Sequence, residues 1–140
     1  MRGTGIIALM QPEVAVLPSL GAVLFAAVAH AQTPVLACVA DGRRIVVDRA
    51  AANGATYRYR AWGVRSVAGT PPELVLGAGR REVNGTGACR NAHYRFASGK
   101  TAYVVATPVG CTEDEPPADA VAQVFVFDGD ELRTRAWCVR

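Results

Sequence analysis

Lysine is nearly missing from this chain: Lys100 is the only one among 140 residues, and histidine occurs only at His30 and His93. A serine or cysteine nucleophile needs a base beside it, so His93 would have to serve alone if the N-terminal segment is removed. The patterns G-x-S-x-G, H-E-x-x-H and the phosphate-binding P-loop do not occur. No two cysteines stand at C-x-x-C spacing, so neither a zinc centre nor a dithiol redox centre has its usual ligand pattern. Charge of one sign is also in short supply. A net charge of +3 is too mild to argue for nucleic-acid binding. A two-carboxylate hydrolase leaves no sequence motif, but a domain this small has little room for a substrate cleft. The expectation is therefore a protein that is not an enzyme and carries no cofactor or metal.

What is present begins with an apolar, uncharged run. Residues 14–31 read VAVLPSLGAVLFAAVAHA and close on Ala29-His30-Ala31. An apolar stretch ending in A-x-A is the pattern of a cleaved export signal, which predicts a signal peptide over 1–31 and a single domain over 32–140. The segment ahead of the run is long, with Arg2 its only base and Glu13 close to the apolar residues, so a start at Met10 is an alternative. The other alternative is an uncleaved anchor, although about 18 residues interrupted by Pro18 and Gly21 are near the lower limit for spanning. Cleavage removes one base and one acid, leaving the net charge at +3. The expected location is periplasmic or secreted, with no stable membrane span after processing.

The four cysteines, Cys38, Cys89, Cys111 and Cys138, all fall behind the leader. An even number of spaced cysteines in an exported chain reads as disulfides. Lipidation of Cys38, preceded by Leu36-Ala37, would strand an odd thiol. Between the cysteines lie short apolar runs broken by glycine, asparagine and proline, with no long run at helical spacing. Strands are expected over 35–39, 44–47, 56–64, 73–76, 93–97, 101–107, 121–127 and 132–139. Residues 77–87, rich in glycine, read as a flexible connection. Ser98-Gly99 and Asp128-Gly129-Asp130 read as hairpin turns. The fold class is all-β: a small antiparallel β-sandwich or barrel of seven to eight strands with two disulfides. Folding back around Ser98-Gly99 brings Cys89 near Cys111 and leaves Cys38 for Cys138, though spacing alone allows three pairings.

Three surfaces invite a functional reading. Arg58-Tyr59-Arg60-Ala61-Trp62 and Arg133-Thr134-Arg135-Ala136-Trp137 share Arg-x-Arg-Ala-Trp. Alternate strand residues share a face, so each segment lines up two guanidiniums and an indole, suited to carboxylates, phosphates or sugar rings. The plainer reading has each tryptophan capping the core while the arginines reach into solvent. Ser98, Gly99, Lys100 and Tyr103 form a compact polar turn able to enter another protein's cleft, or simply a hairpin. Charge is segregated as well: seven acids fall between Glu113 and Glu131, and ten arginines between Arg43 and Arg95. Glu113-Asp114-Glu115 with Asp119 could hold a hard cation, but Pro116-Pro117 break the run and a solvated acidic loop is expected.

The stretch His93-Tyr94-Arg95-Phe96-Ala97-Ser98-Gly99-Lys100 through Tyr103-Val104-Val105, with Ala122–Val126, Gly129, Leu132 and Cys138, resembles small exported bacterial β-proteins of unassigned activity. That resemblance covers about a third of the chain and implies the 38–138 pairing. Ser98, Gly99 and Tyr103 are similar to the Ser-Gly-x-Tyr loop that periplasmic lysozyme inhibitors insert into lysozyme, with the tyrosine two positions late. This implies that Ser98 and Tyr103 would contact the enzyme's acids, with Lys100 adding charge complementarity. The expected function is an exported binding module that inhibits or binds a protein, lysozyme-like, through the exposed turn. The alternative is an envelope-associated structural protein whose Arg/Trp face binds an anionic envelope polymer.

Overall fold

The computed structural model describes residues 34–50 and 54–140. The expected signal peptide over 1–31 and the alternative start at Met10 lie outside the described residues. Eight strands follow in chain order: β1 (Pro34–Ala40), β2 (Arg43–Arg49), β3 (Tyr57–Gly63), β4 (Leu74–Asn84), β5 (Asn91–Ser98), β6 (Thr101–Thr107), β7 (Ala120–Asp128) and β8 (Glu131–Val139). Each pairs antiparallel with the next, and β8 returns to β1, so the sheet closes as a barrel. Of the two closures the sequence allows, the barrel is the one adopted.

The turns explain the simple order. β1 and β2 are joined by Asp41-Gly42, both at positive φ (48° and 68°), as a type I′ hairpin turn requires. The β5–β6 and β7–β8 turns lie at the same end of the barrel, and Gly129 N donates to Lys100 O at 2.9 Å between them.

One expectation is corrected. Residues 77–84 are not a flexible connection; they continue β4, which runs to Asn84. The glycine that suggested a loop is a packing residue. A Cβ on Gly79 would lie 2.1 Å from the Phe96 ring, so only glycine lets that ring into the barrel. Ala78, at φ 53°, falls where the β3–β4 register shifts between Tyr57 and Tyr59. Beyond Tyr57↔Gly79, residues Arg80–Asn84 pair with β5 past the end of β3.

Alternation puts apolar side chains inside. Ile45, Val47, Tyr57, Tyr59, Leu76, Tyr94, Phe96, Val105 and Val124 fill the interior. The Tyr57 and Tyr94 rings meet edge-on at 4.9 Å, and Tyr59 lies 5.5 Å from Phe96. An eight-stranded barrel is just wide enough for such a filling. Arginines decorate the outside on β2, β3, β5 and β8, which reverses the apolar-out, polar-in pattern of a bilayer-spanning barrel. No helix among the described residues is long and apolar enough to cross a membrane.

Closure is the weak point. β1 and β8 share one partner pair, Val39↔Val139, whereas β1 and β2 share six. The Cys38–Cys138 disulfide crosses that seam from inside, with Cα atoms 5.4 Å apart and both cysteines buried. It closes a loop of 100 residues, worth about 4–5 kcal/mol of unfolded-state freedom in the chain-entropy model. Cys89–Cys111, 22 residues apart, ties the short 3-10 turn Gly87–Cys89 to the connection between β6 and β7. With no free cysteine left, the sulfur chemistry suggests an oxidising, extracytoplasmic location.

Replacing Cys38 and Cys138 together by alanine is expected to cost about 4–5 kcal/mol in urea unfolding and to raise amide exchange first along β1 and β8. Unchanged stability would show that the seam holds without the bond.

Candidate functional site

The two Arg/Trp segments occupy different surroundings. On β3, Arg58, Arg60 and Trp62 face outward while Tyr57, Tyr59 and Ala61 face the core. Register sets Asp48 of β2 opposite Arg58, Val46 opposite Arg60 and Arg44 opposite Trp62. Arg58 donates from Nε and Nη2 to the two Asp48 oxygens at 3.1 Å each, and Arg60 Nη2 donates to Oδ2 at 2.5 Å. Asp48 is fully buried beneath them. Trp62 is also buried: the Arg44 and Arg60 guanidiniums lie 4.6 and 5.2 Å from its ring, and its Nε1 donates to Thr70 O at 2.8 Å. Arg60 Nε is a buried donor with no acceptor among the described residues. The cluster is closed and holds β2 to β3.

On β8 the same motif is open. β1 and β2 lie between β8 and β3 in the barrel, so the motifs do not form one face. Arg133 meets Asp128 and Glu131 at 3.3 Å, and Arg135 meets Asp114 at 2.7 Å. All five side chains are exposed by about half or more. Trp137 is half-buried on the same strand face, opposite Gln123. Phe125 stands opposite Arg135, and its ring stacks on Phe127 at 6.5 Å. These outward phenylalanines were missed in the sequence, although Gln123, Phe125 and Phe127 already alternate there.

Ser98, Gly99 and Lys100 are exposed at the β5–β6 turn. Tyr103 does not join them. It is half-buried with its ring 5.6 Å from Tyr59, and lines a cavity of about 100 Å³ at the barrel mouth with Asp41, Arg43 and Thr134. Burial, followed by the neighbouring Tyr103, pushes Tyr59 up to about 12, against a smaller opposing effect of Arg43.

The acidic connection 108–119 is fastened across the outside of the barrel. Cys111 is bonded to Cys89, Asp114 pairs with Arg135, Thr112 Oγ1 donates to Asp114 O at 2.6 Å, and Arg140 N donates to Asp119 O at 3.1 Å. Glu113–Glu115 and Asp119 thus belong to a pinned segment, and among the described residues no three His, Cys, Asp or Glu side chains group as a metal site would. Between this connection and the β5–β7 face lies a cavity of about 230 Å³, lined by Asn91, His93, Gln123, Thr112 and Phe125 around the disulfide. Burial lowers the His93 pKa below its ordinary 6.5, helped by Arg95 and opposed by Glu82, so the imidazole is neutral at pH 7. Sequence reasoning placed His93 in a strand but could not see a cavity made by a segment some twenty residues away.

Comparison with protein-family models, curated proteins and solved structures gives no match to this chain.

Asp48→Ala leaves two guanidiniums facing each other and is expected to cost about 3–5 kcal/mol. Arg133→Ala and Arg135→Ala break exposed pairs and should each cost less than about 1 kcal/mol. Chemical unfolding of the three variants checks the contrast, and a mild Asp48→Ala would mean that the cluster is not structural.

Proposed function

We propose that the chain is an exported envelope module, periplasmic or secreted, that binds an anionic polymer through the outer face of β7 and β8. The observation that carries this reading is the kind of ion pair found there. Among the described residues, Arg133 and Arg135 pair only with acids that are themselves exposed, next to stacked Phe125 and Phe127 and half-buried Trp137. Exposed pairs are worth about 0–1 kcal/mol, so carboxylates or phosphates of a polymer replace them at small cost. Guanidiniums grip such groups with two donors, and aromatic faces add stacking. The β3 motif does not take part, because its arginines are committed to a buried carboxylate. Binding needs no cofactor, and the reading is not enzymatic.

A second reading retains the β5–β6 turn as a plug for a lysozyme-like enzyme. It is favoured by the exposure of Ser98, Gly99 and Lys100 on a turn tied to its neighbour by the Gly129–Lys100 hydrogen bond. Tyr103, turned to the barrel mouth, is not part of that plug.

In co-sedimentation with insoluble anionic polysaccharide, the exported protein is expected to bind in a salt-sensitive manner. Arg133→Ala with Arg135→Ala should weaken binding by roughly tenfold or more, as loss of two charged contacts implies, while the protein stays folded at the assay temperature. Equal binding by the double variant rejects the polymer reading. Inhibition of lysozyme on cell walls, abolished by Ser98→Ala with Lys100→Ala, would establish the second reading in its place.

A further inference from the structure

Beside the proposed polymer face, the cavity under the 108–119 connection gathers polar side chains that fold-holding contacts leave unused. Gln123 is 8% exposed, yet its amide makes no hydrogen bond to another described residue. The half-buried Asn91 and His93 side chains likewise make no hydrogen bond to another described residue. These three side chains line one space together with Thr112.

The geometry points to this cavity as the seat of one neutral sugar ring, a unit of the polymer whose charged groups the β7–β8 arginines hold. The inference rests on the polymer reading for its context and on the cavity's own chemistry for the ligand. Amides and an uncharged imidazole each offer a donor and an acceptor, as hydroxyl groups require; a carboxylate or phosphate would call for donors alone. Phe125 supplies an apolar wall for a ring face. At about 230 Å³ the space lies below the roughly 300–1,000 Å³ of drug-sized sites, and admits about one ring rather than a chain. Phe125 also stacks on Phe127 of the outer face, so the cavity and the polymer surface are continuous. Its lining contains no carboxylate, whereas glycoside cleavage ordinarily uses two, so the site is furnished for holding. Burial, helped by Arg95 on the same strand and opposed by Glu82, lowers the His93 pKa and favours the uncharged imidazole.

The test is nuclear magnetic resonance of the exported protein, following the Asn91 and Gln123 side-chain amides during titration with glucose, N-acetylglucosamine, glucuronate and inorganic phosphate. The expected result is saturable movement of both amides with a neutral sugar, with affinity falling by roughly five- to tenfold in Gln123→Leu at an unchanged melting temperature. Movement with phosphate alone would make the cavity an anion site and overturn the inference. So would no saturable movement with any sugar, or sugar binding that Gln123→Leu leaves intact. The arms separate the two readings. Sugar binding without polymer co-sedimentation sinks the outer-face proposal and keeps the cavity. Polymer binding without sugar binding does the opposite.

Discussion

The β1–β8 seam carries the fold. Seven hairpin-style pairings hold the sheet in sequence order, but none of them prevents it from lying open; only contact between the first and last strands makes it a barrel. That contact has a single partner pair, Val39↔Val139, together with the buried bond from Cys38 to Cys138. A domain of this size buries too small a fraction of its surface to be generous with stability. A cross-link closing nearly the whole chain acts where help is most needed, because it limits the open forms more than any short-range contact can. The consequence reaches the surface. Arg135 and Trp137 lie on β8, so their positions relative to β7 and the acidic connection are kept by the same closure.

Tyr57, Tyr59, Tyr94 and Phe96 fill most of the barrel and leave a space of about 100 Å³ at its mouth, so the proposed recognition lies on the wall. There the same motif stands in two different settings. Around Asp48 the guanidiniums are partly buried and share a carboxylate with no exposure; breaking the set leaves uncompensated charge, so the set stays shut. Around Arg133 and Arg135 every partner is wet, and each pair is worth little. What distinguishes the copies is the neighbour that register supplies: Asp48 opposite Arg58 in one case, Phe125 opposite Arg135 in the other.

Much of this was legible before any coordinates. Alternation and turn residues placed the eight strands closely, because a strand's period and a hairpin's glycine are local properties. Fold-back about Ser98-Gly99 was enough to bring Cys89 to Cys111. The reading failed over residues 77–84, since Gly77, Gly79 and Gly85 look alike in sequence. Gly79 is there because Phe96, seventeen residues later, needs its space, and no local pattern reveals that. Asp48 escaped notice for the same reason: a lone aspartate in an apolar run becomes a buried counter-ion only when register sets it against Arg58. Tyr103 was placed on the turn's polar surface, but its parity puts it beside Tyr59 at the barrel mouth. The cavity was the least visible of all, because its walls come from three strands and a connection that the second disulfide, the Asp114–Arg135 pair and the Arg140–Asp119 hydrogen bond hold in place.

That connection also bears on what kind of anion the outer face would select. Asp114 is tethered at both ends, by Cys111 on one side and by the Arg140–Asp119 hydrogen bond on the other, so it meets Arg135 at a high effective concentration. A free small anion must displace an acid that cannot diffuse away, and the gain from the exchange is close to nil. A polymer escapes this limit, since its first contact raises the local concentration of every later one, and several weak exchanges at Arg133 and Arg135 then add up. On the proposed reading the built-in acids would reject monomeric salts while yielding to a chain of charges. This is why a surface meant for anions would carry Asp114, Asp128 and Glu131 of its own rather than be left bare.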